Sequence, residues 1–76
     1  MSLKKPYDVA VVFGRFNLLH KGHLALFESM FEKAGLVVIG LSSNDENLPA
    51  KFRMKAIAKA CEAAGIHYKV VIASQP

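Results

Sequence analysis

The chain has one cysteine, Cys61, no tryptophan and three prolines in 76 residues. A single thiol excludes both a disulfide scaffold and a multi-cysteine zinc site, the usual supports of a small secreted domain. A reducing compartment, the cytoplasm, is the expected location. No apolar run approaches the ~20 residues a bilayer-spanning helix needs, and Met1 to Pro6 lacks the apolar stretch of a signal peptide. Charge is sparse as well: Asp, Glu, Lys and Arg make up 21% against 53% hydrophobic residues, which excludes an intrinsically disordered chain. Ten Lys and Arg against six Asp and Glu leave a formal +4. That excess suits nucleic acid, anionic lipid or phosphorylated small molecules until the charges are placed. A chain this short hides only about 60% of its unfolded surface on folding, so one thin layer of core is expected.

Against these absences stand three apolar, β-branched runs. Val9 to Phe13, after Pro6 and before Gly14, reads as a strand covered on both faces. Leu36 to Leu41 repeats the pattern after Gly35, and Tyr68 to Ala73 repeats it after Gly65. Between the first two runs, Leu24, Phe27, Phe31 and Ala34 fall at helical spacing, with Gly35 as the expected stop. Between the second and third, Ala56 or Ile57, Ala60, Cys61 and Ala64 form a stripe, with Lys51, Lys55 and Lys59 on another face and Gly65 as the stop. The spacing predicts strands over about 8–13, 36–42 and 68–73 and helices over about 21–34 and 50–64. The order β-α-β-α-β makes an α/β fold, one half of a Rossmann-like doubly wound sheet with parallel strand order 3-2-1. The first strand would then have a free edge, suited to a second copy of the chain or to further sequence. Ser42 to Pro49 is the one long polar loop, at the carboxyl end of the second strand, where such sheets place ligand-contacting loops.

The segment that carries chemistry is Gly14-Arg15-Phe16-Asn17-Leu18-Leu19-His20-Lys21-Gly22-His23, running from the first strand into the first helix. Gly14 permits a sharp turn and close approach of a ligand to the backbone, and Gly22 leaves room for a flat group at the helix start. Free N–H groups there favour an anion. His20 and His23, three apart, fall on one face if the helix has begun, so two imidazoles, Arg15 and Lys21 surround a phosphate-sized space. Each part has a plainer reading. A lone surface histidine such as His67 is usually without function. Two histidines could ligate a metal, but no third or fourth ligand is evident and no metal site is expected. Lys51, Lys55 and Lys59 read as a solvated helix face, and without interleaved aromatics they do not make a nucleic-acid site.

The combined string resembles the G-[RTS]-F-x-P-x-H-x-G-H signature of the nucleotidylyltransferase superfamily, whose last four positions are similar to the "HIGH" box of class I aminoacyl-tRNA synthetases. The Gly-Arg-Phe form looks like the nicotinamide-mononucleotide adenylyltransferase branch. Arg53, in Pro49-Ala50-Lys51-Phe52-Arg53-Met54, matches an arginine of the family's second helix. The resemblance implies ATP binding with Mg²⁺ and transfer of AMP to a small phosphorylated acceptor such as nicotinamide mononucleotide, with release of pyrophosphate and a place in NAD biosynthesis. It implies that His20 and His23 hydrogen-bond the triphosphate, that Gly14 and Phe16 shape the pocket, that Gly22 receives the adenine, and that Arg15, Lys21 and Arg53 bind nucleotide. Leu18 stands where the family has proline and Asn17 where Gln, Asp or Tyr is commoner. The family's second phosphate motif, Ser-Ser-[ST]-x-[ILV]-[RK], has no counterpart within residues 1–76, so a single truncated nucleotide-binding domain is expected. A non-catalytic nucleotide-binding or structural fragment that keeps the loop is the alternative.

Overall fold

The structure is a computed structural model, and it describes residues 5–16, 19–42 and 50–73. The elements follow the order β1 (Tyr7–Gly14), α1 (Lys21–Lys33), β2 (Ala34–Ser42), α2 (Ala50–Ala64) and β3 (Tyr68–Ala73). The three strands form one parallel sheet in the order β1-β2-β3, the expected order read from its other end. This is half of a Rossmann-like fold. Parallel strands joined by helices need right-handed crossovers, which bring α1 and α2 to one face of the sheet. There the helices touch each other and β2, and Phe27, Val37, Ile39, Leu41, Ile57 and Cys61 close into a core with no exposed surface. Burial pushes the Cys61 thiol pKa up, with the neighbouring Glu62 carboxylate adding to the shift.

The first strand is covered on one face only, not on both as its apolar run implied. Val9, Val11 and Phe13 are 47%, 52% and 67% exposed, while Ala10 and Val12 are half-buried. The register explains the split. Val9 pairs with Leu36, Val11 with Val38 and Phe13 with Gly40, and in a pleated sheet these rows share the face opposite the helices.

The end of α1 also differs from expectation. Gly35 does not stop the helix. Ala34 caps it in extended conformation (φ −134°, ψ 146°) with its N–H donating to the Met30 carbonyl, and Ala34 already pairs with Tyr7 as the first residue of β2. Lys5 takes the place of a glycine cap: its ammonium donates to the carbonyls of Phe31 and Ala34 and lies 3.4 Å from the Phe31 ring centroid. Helix α2 ends as the sequence indicated. Gly65 has φ +73°, its N–H donates to the Glu62 carbonyl at 3.2 Å, and the Ile66 N–H donates to the Cys61 carbonyl at 2.9 Å. These are the paired bonds of a Schellman motif, with buried Ile66 as its apolar contact. The buried stripe of α2 is Arg53, Ile57 and Cys61, narrower than the alanine-rich stripe expected, because Ala56 and Ala64 are exposed. Lys51, Lys55 and Lys59 are exposed, as a solvated face requires.

Candidate nucleotide site

At the end of β1 the chain turns at Gly14 and passes through Phe16, which sits at φ +48°. This left-handed conformation costs a residue with a Cβ roughly 1–2 kcal/mol, so packing must hold it. Phe16 is 8% exposed, and its ring lies 5.7 Å from the Phe27 ring and meets His23 edge-on at 5.1 Å. A Cβ on Gly14 would stand 3.0 Å from the Phe16 ring, so this glycine is what lets the aromatic fold back beneath the turn. From the opposite side Arg53 of α2 donates through Nη1 to the Arg15 carbonyl at 2.6 Å.

Helix α1 starts with an unusual cap. His20 is the N-cap (φ −137°, ψ 177°). Its Nδ1 accepts from the Gly22 N–H at 3.0 Å, and the Nδ1 of His23 accepts from the His20 N–H at 3.2 Å. Two histidines thus perform the reciprocal bonding of a capping box, a task ordinarily given to a hydroxyl and a carboxyl group. The rings stack at 3.9 Å and 25°. Gly22 makes this possible, because a Cβ there would come within 2.8 Å of His20 Cε1. With Nδ1 of both rings accepting, each neutral imidazole carries its proton on Nε2, and no described residue accepts either proton. Burial, and secondarily the neighbouring His20, lower the His23 pKa below its ordinary 6.5. The first turn holds no acidic residue, so the positive end of the helix dipole is not neutralised there.

The structure brings Gly14, Arg15, Phe16, His20, Lys21, Gly22 and His23 to one end of the sheet. Lys21 and Arg15 are exposed there. Arg53 reaches the same turn from behind, 1% exposed, and the space beside Gly22 holds the His20 ring. Asn17, Leu18 and the polar loop at 43–49 lie outside the described residues. Two roles had escaped the sequence: the histidines as helix cap and the Phe16 ring as support for His23. The three-residue spacing of the capping box was the available signal for the first. Among the described residues no three His, Cys, Asp or Glu side chains cluster to hold a metal, and no helix is long and apolar enough to cross a membrane.

The family model for cytidylyltransferase-like proteins matches residues 11–73, a span that includes the second half of β1, the turn, the histidine pair, both helices and the other two strands. The chain belongs to this family. Among curated relatives of this cytidylyltransferase-like chain, the phosphopantetheine adenylyltransferase of Thermococcus kodakarensis is 34% identical over 79 residues, covering 91% of this chain and 48% of the relative. The enzyme of the same name from Thermococcus gammatolerans is 33% identical over 79 residues, covering 91% and 50%. That of Pyrococcus furiosus is 46% identical over 43 residues, covering 57% and 27%. The chain therefore spans about half the length of the first two relatives. No solved structure matches it. Membership places the chain in the nucleotidylyltransferase superfamily, as the motif suggested, but the matching relatives carry a phosphopantetheine name and none a nicotinamide-mononucleotide one.

Proposed function

We propose that this chain is the ATP-binding half of an adenylyltransferase site, which holds the triphosphate at the start of α1 while AMP passes to a phosphate-bearing acceptor. The observation that carries this reading is the imidazole pair: both Nδ1 atoms are occupied by backbone N–H groups, leaving two Nε2–H donors at a helix N-terminus. In such a transfer an acceptor phosphate oxygen attacks the α-phosphorus, the bond to the β-phosphate oxygen breaks, and pyrophosphate departs with the electron pair. No covalent enzyme intermediate is needed, so the protein contributes position and charge stabilisation. His20 and His23 donate Nε2–H to the non-bridging oxygens, and neutral rings keep this donor geometry fixed. Lys21 and Arg15 add positive charge, Gly14 lets the backbone approach, and Phe16 supports His23. Magnesium would neutralise phosphate charge when bound. The described residues offer no carboxylate cluster for it, so it would arrive on substrate oxygens and water. The names of the relatives favour 4′-phosphopantetheine as acceptor, and the Gly14-Arg15-Phe16 form favours nicotinamide mononucleotide.

Titration of the chain with Mg-ATP by calorimetry tests the reading, alongside pyrophosphate release with each acceptor. His23→Asn keeps an acceptor where Nδ1 stands but has no donor in the place of Nε2. It should preserve the fold and weaken ATP binding about tenfold or more, the worth of a hydrogen bond to a charged group. Unchanged affinity in that variant would remove the histidine from the site. ATP binding without pyrophosphate release from either acceptor would favour the second reading, a nucleotide-binding portion that does not turn over by itself, which the half-length match to the relatives supports.

A further inference from the structure

Arg53 is the one charged side chain buried among the described residues, at 1% exposure. Taking a guanidinium out of water costs several kcal/mol unless its donors are well matched. One of them meets the Arg15 carbonyl at 2.6 Å, across 38 positions of sequence. That carbonyl belongs to the peptide unit whose nitrogen is Phe16 N, so its orientation is tied directly to φ of Phe16, the one non-glycine residue at positive φ in the described chain. Strained dihedrals persist only where surrounding structure over-determines them. The strained residue in turn sets its ring against His23 at 5.1 Å, and His23 holds the His20 backbone and stacks on the His20 ring.

We infer that Arg53 is a positioning residue of the nucleotide site: by clamping the Arg15–Phe16 peptide it holds the Phe16 ring under His23, and so fixes the paired imidazoles that meet the triphosphate. The inference rests on the reading of that pair as the phosphate ligand. It gives Arg53 a different task from the direct nucleotide contact that the family resemblance implied, and the burial of the guanidinium argues for the difference. A planar fork suits it, because an ammonium at the same position is a point donor on a more flexible stem.

The test reads the rings before any nucleotide is added. Nuclear Overhauser contacts between the Phe16 ring and His23 Cε1–H, together with the pH titration of His23, are measured in the unaltered chain, in Arg53→Lys and in Arg53→Met. In Arg53→Met the Phe16–His23 contact should be lost and the His23 titration should move up toward that of an ordinary histidine as the ring regains water, while circular dichroism keeps the helix signal. Arg53→Lys should retain the contact in part. A folded Arg53→Met chain with both readings unchanged would overturn the clamp. So would a loss of ATP affinity with both readings unchanged, since that pattern means direct contact. If Arg53→Met does not fold, Arg53→Gln, a shorter neutral donor, is read in the same way. Failure of the unaltered chain to bind ATP would remove the nucleotide reading, yet the ring measurements would still decide the clamp.

Discussion

His23 accepts the His20 N–H through Nδ1, and that bond requires the ring to stay neutral. A protonated imidazole has no free Nδ1 lone pair, so proton uptake ends the bond from the His20 N–H. Burial and the neighbouring His20 hold the folded-state pKa of His23 below 6.5. The unfolded chain therefore binds protons more readily, and stability must rise with pH across that interval. The contribution is complete above 6.5, the ordinary value, and is lost as the pH falls through the lowered one. Thermal unfolding midpoints across this range should decline on acidification in the unaltered chain and less steeply in His23→Asn. Equal slopes in the two proteins would show that the cap does not titrate. Both histidines were legible as a pair from their spacing. Their capping role was not, because a capping box ordinarily pairs a hydroxyl with a carboxyl group and histidine is a rare N-cap.

Among the elements, α2 and β3 begin and end where periodicity places them, since Gly65 supplies a positive φ that other residues adopt only at a cost. The C-terminus of α1 was less legible because Lys5, 26 residues away from Phe31, completes it. No local pattern contains that contact. At the N-terminus of α1 the proposed nucleotide contact and helix stability oppose each other at one residue. Alanine is favoured over glycine in helices by up to about 1 kcal/mol, yet a Cβ at Gly22 would displace the His20 ring. Loss of an N-cap side chain costs about 1 kcal/mol. Gly22→Ala should therefore leave the unfolding free energy nearly unchanged while weakening Mg-ATP binding, because the displaced ring no longer presents Nε2–H. Denaturant unfolding and calorimetry on the same sample check both halves. A variant that gains about 1 kcal/mol and binds ATP as before would show that the His20 position is not set by Gly22.

At the scale of the whole molecule, a sheet with helices on one face leaves the other wet. A continuous apolar run states that a strand is buried in the assembled protein, but it does not say by what, which is why the exposure of β1 was not legible. Tyr7, Val9, Val11 and Phe13 stand in a row on that open face, next to half-buried Leu36 and Val38, and the Phe13 ring lies over the bare backbone of Gly40. Contiguous exposed apolar surface of this kind marks an association surface. The outer edge of β1, with no strand partner among the described residues, adds unpaired N–H and C=O groups beside it. The 76-residue polypeptide is therefore expected to self-associate, with a weight-average mass in sedimentation experiments that rises with concentration. Val11 is at the centre of the patch and its side chain points away from the helices. Val11→Lys sets a charge in the patch, and should shift the population toward monomer while the circular dichroism spectrum and ATP affinity stay as they were. A chain that remains monomeric at every concentration, or a Val11→Lys variant that associates as strongly as its parent, would mean that this face is not where copies meet.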